Sequence, residues 1–365
     1  MLNAGCWMLN YLGSFKIQNS KFKILLLAIW VFSASCHNTN VKPTRNISSG
    51  DSASIHGDTI TPKINFYTGR LIAHPNDADA YWNRGKLEAM NKSLGLALAD
   101  LTKAVSLDST KSDYFCSLAD VEFKTGHTHE ARDGFATSIR LNPKNTDAIL
   151  KLAELYYFVK KYPEAMELLD QAIKVNKYIA QEYSLKALIF IDTHDTAKAI
   201  SSLQTAIEQD PTNFDSYIQL GLLFANQGNP LALMYYDDAI HLQPQNPEPY
   251  YDKGMFYQFG GDYDDAIKAY TELLQVDSTY KHAYYNLGDI YNEYKTDYAK
   301  SIEYFSKAIK CDTAYSIAYY GRANSYEMLK QIDNALADYA HAYRINPKFE
   351  DAETAYKKLK SEYHK

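Results

Sequence analysis

What constrains this chain most is that it repeats itself about every 34 residues. Registers opening at Ala78, Ser112, Thr146, Ala180, Phe214, Pro247, Lys281 and Ser316 bring residues of one kind into line. The eighth position holds Gly85, Ala119, Ala153, Ala187, Gly221, Gly254, Gly288 and Ala323. The twentieth holds Ala97, Ala131, Ala165, Ala199, Ala232, Ala266, Ser301 and Ala335. Two antiparallel helices that cross closely need a small residue on each at the contact, because a larger side chain holds the backbones apart. Bulky groups surround these points: Tyr156, Phe190, Phe224, Tyr257, Tyr291 and Tyr326 at position eleven, and Leu101, Phe135, Tyr236, Tyr270, Phe305 and Tyr339 at position twenty-four. Pro143, Pro211, Pro244 and Pro347 stop the second helix of their repeats. The pattern predicts an all-α array of about eight helical hairpins over residues 78–349.

Two repeats break the period, both in the turn between their helices. The fifth is one residue short, with Asn229-Pro230 read as N-cap and first helical residue, and the seventh is one longer across Lys295 to Tyr298. The second has Ser138 where six repeats have Ala. An open array exposes an apolar face at each end, so a packing helix over 62–77 and a lysine-rich capping helix over 350–365 are expected.

Period, small-residue pair and aromatic plugs together resemble the tetratricopeptide repeat family. The resemblance implies a right-handed α-α superhelix, or solenoid, and a non-catalytic scaffold that binds a protein or peptide along a concave groove. At about 100° per residue, positions 4, 7, 8 and 11 of the first helix turn to the core, and 2, 5, 9, 12 and 13 turn the other way. In the family the second set lines the groove. Here it supplies Trp82, Lys86, Asp120, Phe123, Tyr157, Phe158, Tyr251, Phe259, Tyr285, Asp289 and Tyr320 as candidate partner-binding residues. In the doublets Tyr250-Tyr251, Tyr284-Tyr285 and Tyr319-Tyr320 the first ring is expected in the core and the second in the groove. Some relatives clamp a C-terminal carboxylate with Lys at position 5 and Asn at positions 6 and 9. Position 5 is never Lys here, and the groove holds more acids than bases, which favours neutral, aromatic or basic segments. The alternative ligand is a glycan stacking on Trp82, Tyr251, Tyr285 and Tyr320.

Other chemistry finds little footing. Lys16, Lys21 and Lys23, with no acid among the first 35 residues, leave about −9 on the remainder of a chain whose net charge is −6, so bulk charge does not draw nucleic acid. No GxSxG, HExxH, P-loop or dinucleotide fingerprint occurs, and neither an enzyme nor a cofactor is expected. His127 and His129 read as surface residues rather than metal ligands, and Asp262, Asp264 and Asp265 as helix capping.

Ahead of the repeats, Lys21-Phe-Lys23 precedes the apolar run Ile24 to Phe32 and the small residues Ser33-Ala34-Ser35 before Cys36. A basic flank, a short apolar run and small residues form the layout of a secretory signal over residues 1–35, and the run is too short to span a bilayer. The segment resembles the lipobox of bacterial lipoproteins, with Ser33 in place of the usual Leu. That resemblance implies acylation of Cys36, a membrane contact through the N-terminal lipid only, and an address on the periplasmic face of the outer membrane. Residues 36–61 are polar and read as a flexible linker.

Overall fold

A computed structural model describes residues 54–363, with side chains from residue 60 onward. Eighteen helices follow one another, and no strand occurs among the described residues. Helix α1 (Ser54–Ala73) leads into the first hairpin, α2 (Ala78–Met90) with α3 (Leu94–Leu107). Next come α4 (Ser112–Lys124) with α5 (Thr128–Leu141), α6 (Thr146–Phe158) with α7 (Tyr162–Val175), and α8 (Ala180–Asp192) with α9 (Thr196–Gln209). They are followed by α10 (Phe214–Ala225) with α11 (Leu231–Leu242) and α12 (Glu248–Gly260) with α13 (Tyr263–Val276). The last hairpins are α14 (Lys281–Glu293) with α15 (Tyr298–Cys311) and α16 (Ser316–Met328) with α17 (Ile332–Ile345), and α18 (Glu350–Tyr363) closes the series. The chain divides into two compact units that meet between Ser216 and Tyr217, each a stack of such hairpins. No described helix is long and apolar enough to cross a membrane.

The small residues of positions eight and twenty are buried in every hairpin. A Cβ placed on Gly288 would stand 2.7 Å from Phe305 Cδ1, and one on Gly254 would stand 2.5 Å from Tyr270 Cε1. For Ala153 and Ala187 the residue across the hairpin is the smaller Leu169 or Leu203, whereas Ala323 packs with Tyr339. In the second hairpin Ala119 faces Phe135, and the opposite helix yields instead: a Cβ on Gly134 would meet the Ala119 Cβ at 2.9 Å. The volume at the crossing is thus shared between two residues, and either can give way. The buried hydroxyls of Ser301 and Ser138 are satisfied. Ser301 donates to the Gly288 carbonyl at 2.8 Å. Ser138 donates to the Ser112 carbonyl at 2.9 Å, which lets a hydroxyl take the place of a methyl.

Each turn within a hairpin contains one residue in the left-handed region: Lys92, Lys160, His194, Thr296 and Lys330 alongside Gly126, Gly228 and Gly261. This conformation closes the first helix and releases the chain into the second. The first and last hairpins share a bidentate clamp. Arg84 donates to both Asp100 oxygens at 2.7 Å. Arg322 reaches those of Asp338 at 2.7 and 2.9 Å. The planar fork holds first helix to second with two charge-assisted bonds.

Several expected boundaries move. Helix α1 begins at Ser54 and carries Pro62 in its interior, whereas the sequence pattern starts it at Pro62 and leaves residues up to 61 as linker. The residues ahead of Pro62 show no apolar spacing, but helical backbone does not require one, and a proline removes only one bond of the ladder. Helix α11 is capped by Pro230 and begins at Leu231, with the Asn229 side chain accepting from the Leu231 N–H at 3.0 Å. Asp262 holds the N-cap position of α13 without making a side-chain cap bond. Asp264 pairs instead with Lys295 at 2.7 Å.

Three side chains are exceptions within the core, the hydroxyls of Tyr236 and Ser316 and the carboxyl of Glu182, which are buried without a hydrogen-bond partner. Glu182 stands at position three of α8, where other repeats have Ala80, Ala148, Ser216, Ala283 and Ala318, and both its carboxylate oxygens lack a partner. Burial pushes its carboxyl up to about 7.

Two predictions follow from this packing. Gly288→Ala should cost roughly 2 kcal/mol through overpacking, and adding Phe305→Leu should recover part of it, so a double-mutant cycle in urea should show a coupling above about 1 kcal/mol. Because the folded Glu182 carboxyl titrates above its unfolded value, its protonated form stabilises the fold, and that contribution is lost as pH rises from about 4.5 to about 7. The stability of Glu182→Gln relative to the parent chain should therefore rise by roughly 2 kcal/mol between pH 5 and pH 8. A pH-independent difference would contradict this assignment.

Candidate binding face

The face that first helices turn away from their own second helices is built differently in the two units. In the unit ending at Ser216 it is a run of paired groups. Trp82 is half-buried, donates from Nε1 to Ser117 Oγ at 2.8 Å and lies 5.6 Å from the Tyr114 ring. The Lys86 ammonium rests 4.3 Å from the Trp82 ring centre, a cation–π contact. Asp120 is bonded by Lys124 at 2.5 Å, and Lys151 lies 4.0 Å from its other oxygen and 2.9 Å from Glu154. Phe123 meets Phe158 edge-on at 5.6 Å, and Phe158 is exposed. Tyr157 packs against the Ala165 and Leu169 cluster, 6.1 Å from Tyr162, whose hydroxyl donates to Asp192 at 2.8 Å. Cys116 is buried, with its thiol toward Asp147 at 3.4 Å, and burial pushes that thiol up.

In the unit that begins at Tyr217 the face is a wall of rings with one motif used three times. Tyr251 lies between Tyr270 at 6.0 Å and Tyr280 at 5.3 Å. Tyr285 lies between Phe305 at 5.6 Å and Tyr315 at 5.7 Å. Tyr320 lies between Tyr339 at 5.5 Å and Phe349 at 5.0 Å. In each set the middle ring comes from position five of a first helix, one flank from the second helix of that hairpin, and the other from the residue just ahead of the next helix. Offset and edge contacts of this kind suit the ring quadrupole. Hydroxyls tie the sets to neighbouring polar groups. Tyr270 donates to Gln258 at 2.8 Å and accepts from Asn286 at 3.0 Å. Tyr339 reaches Asn324 at 2.5 Å and Glu327 at 2.7 Å. His282 bridges two sets, with Nδ1 2.9 Å from the Tyr315 hydroxyl and its ring 6.5 Å from Tyr251. The enclosing rings, and then Lys281, push its pKa down to about 4.

Two carboxyls stand in this wall. Burial, and then the neighbouring Glu248, push Asp252 up to about 8. Burial, and then Glu293, push Asp289 up to about 7. Phe259 is exposed at the end of α12.

The expected candidates therefore fall into separate groups: Trp82 with Lys86, Phe123 with Phe158, and the three ring sets. The tyrosine doublets are not divided into a core ring and a groove ring. Tyr250 is half-buried with its hydroxyl donating to the Pro244 carbonyl at 3.2 Å, and Tyr319 lies 4.4 Å from His341. The second rings are held on two sides instead of standing free, because Tyr280, Tyr315 and Phe349 close over them. Those three residues did carry a signal, an aromatic recurring at the last position of three successive repeats. Reading only helix positions passes over it. Asp252 was missed because position six is polar in most repeats, as in Asn83, Ser117, Lys151, Gln219 and Asn286, so a carboxyl there does not stand out. Cys36, its acylation and the signal segment lie outside the described residues. Among the described residues no group of three or more His, Cys, Asp or Glu side chains is arranged to hold a metal ion.

Models of the tetratricopeptide repeat match residues 122–188, 202–232, 235–268, 281–315 and 317–349, together more than half of the chain. The chain belongs to the tetratricopeptide repeat family. It is 29% identical over 90 residues to tetratricopeptide repeat protein 33 of Homo sapiens, covering 24% of this chain and 34% of that protein. It is 23% identical over 287 residues to DnaJ homolog subfamily C member 3 of Gallus gallus, covering 70% of this chain and 56% of that one. The chain spans about a third or less of the first curated relatives it matches. Among solved structures, the C-terminal part of a TPR repeat-containing protein from Cytophaga hutchinsonii superposes with a TM-score of 0.58 at 21% identity, covering 66% of this chain and 98% of that one, which shows the fold.

The hydroxyl network yields a graded prediction. Tyr270→Phe leaves the buried Asn286 amide and Gln258 without their partner and should cost about 1–2 kcal/mol. Tyr339→Phe releases groups nearer to solvent and should cost about half as much, as read by thermal unfolding of each variant.

Proposed function

We propose that this chain is a non-catalytic scaffold for protein partners, tethered to a membrane through its N-terminus, and that a peptide segment lies along the first-helix face of residues 248–349. The observation that carries this reading is the threefold ring set centred on Tyr251, Tyr285 and Tyr320 of α12, α14 and α16, with the carboxyls of Asp252 and Asp289 beside it. Such a surface offers large rigid contact area at small entropic cost together with polar groups that fix register. Trp82, Lys86, Asp120, Phe123, Tyr157 and Phe158 are a separate candidate surface on the other unit, where Asp120 is already paired with Lys124. A glycan is the weaker reading. Tyr251, Tyr285 and Tyr320 each have rings on two sides, which leaves less open face for sugar stacking.

The signal layout before Cys36 supports the tether: an acylated cysteine followed by a polar stretch holds a folded body off a bilayer, here the periplasmic side of an outer membrane. Mass analysis of the mature N-terminus should find Cys36 as the first residue carrying diacylglyceryl, and an unmodified chain starting elsewhere would overturn the anchor. For the face, a photoreactive phenylalanine analogue in place of Tyr285 should give a recurrent protein adduct in intact cells. The same group in place of the exposed Lys268 should not. Adducts at both positions alike, or polysaccharide alone at Tyr285, would overturn the reading.

A further inference from the structure

The cations that form ion pairs in residues 217–363 are engaged by acids other than Asp252 and Asp289, and one of them, Lys281, also lies 4.9 Å from the ring centre of Tyr315. Lys253 pairs with Asp237 at 2.6 Å, Lys281 with Asp312 at 2.6 Å and Lys295 with Asp264 at 2.7 Å. Lys307 pairs with Glu303 at 2.6 Å, Arg322 with Asp338 at 2.7 Å and Lys357 with Glu353 at 2.6 Å. Asp252 is 7% exposed, and neither it nor Asp289 takes part in a hydrogen bond or ion pair among the described residues. The titratable groups around Asp252 are Glu248, Tyr236, Tyr251, Tyr270 and Tyr280, all acids or phenols. Those around Asp289 are Glu293, Tyr270, Tyr285 and Tyr294. The nearest basic ring, His282, is held neutral across the ordinary range.

A buried carboxylate without a cation or donor is costly, and folded proteins pair such groups almost without exception. In the other unit the corresponding face obeys that rule, since Asp120 and Glu154 have Lys124 and Lys151. Here Asp252 and Asp289 lack that complement among the described residues, while the surrounding rings present faces that attract cations.

We propose that the first-helix face around Asp252 and Asp289 is a receptor for the basic side chains, Lys or Arg, of one extended segment of a partner protein, with Tyr251, Tyr280 and Tyr285 enclosing the cations. This rests on the peptide-binding reading above and adds the chemistry of the occupant. The cation replaces the proton that each carboxyl carries when the face is empty, so binding near neutral pH releases protons.

The test uses the full chain and a blocked decapeptide of alternating lysine and glycine, with the same peptide ε-acetylated as control. Calorimetry at pH 7.5 in phosphate and in Tris separates binding heat from proton release. The lysine peptide should bind with release of about one proton, given carboxyls near 8 and 7. The acetylated peptide should bind at least ~10-fold more weakly. Asp252→Asn and Asp289→Asn should each weaken binding by about tenfold, with the double variant losing the proton release. Asp264→Asn, at an exposed carboxyl on a second helix, should change neither. Because an amide at a buried uncompensated acid removes a cost, the Asn variants should unfold no earlier than the parent, which confirms that they fold. Equal binding of the acetylated peptide, unchanged affinity in both Asn variants, or no binding by the parent chain would each overturn the proposal. If Tyr285 still crosslinks a protein in cells in any of those cases, only the selection for cations falls. If it does not, the peptide-binding reading falls with it.

Discussion

Everything in this protein depends on one contact made eight times, the crossing of two antiparallel helices at a pair of small side chains. Where that crossing is tightest, between Gly254 and Tyr270 or Gly288 and Phe305, the absence of a Cβ is what admits the ring. Where the opposing residue is Leu169 or Leu203, a methyl is tolerated and Ala appears. The size of the opposing side chain thus bears on whether Gly or Ala stands at the crossing, although Gly85 against Leu101 and Ala323 against Tyr339 show that the match is not strict. Once the crossing is fixed, each first helix has one side committed to its partner and another left over, and that remaining side is where the repeats are free to differ.

How they differ separates the two units. On α4 and α6 Asp120 and Glu154 are paired with Lys124 and Lys151, a turn away or on the neighbouring helix, while Asp113 and Asp147 take an amide and a thiol. On α12 and α14 the same face is closed by rings, and Asp252 and Asp289 have no counter-ion among the described residues. Aromatic enclosure and missing charge reinforce one another, because rings exclude the water that would otherwise solvate Asp252 and Asp289 and at the same time offer their negative faces to an incoming cation.

Much of the fold was legible in the sequence because it rests on residue size at a fixed spacing. Gly85 to Ala323 and Ala97 to Ala335 identify the crossings without reference to coordinates, and the helices of the hairpins begin at or close to the expected registers. The capping of α11 by Pro230 and the extension of α1 back to Ser54 were hidden, since helix ends are decided by backbone geometry that side-chain periodicity does not encode. The binding face was only half legible. Position five correctly points to Tyr251, Tyr285 and Tyr320, but what encloses them comes from residues just ahead of helices, Tyr280, Tyr315 and Phe349, to which a helical wheel assigns no direction. The lack of a counter-ion for Asp252 is a property of three-dimensional surroundings, and composition gives no hint of it.

The central claim is that partners are received by first helices in the residues 248–349. Hydrogen exchange of the chain with and without a crosslink-identified partner tests it most directly. Slowed exchange should concentrate in Glu248–Gly260, Lys281–Glu293 and Ser316–Met328. Protection confined to Tyr263–Val276 and Tyr298–Cys311, or none in this unit at all, would contradict it.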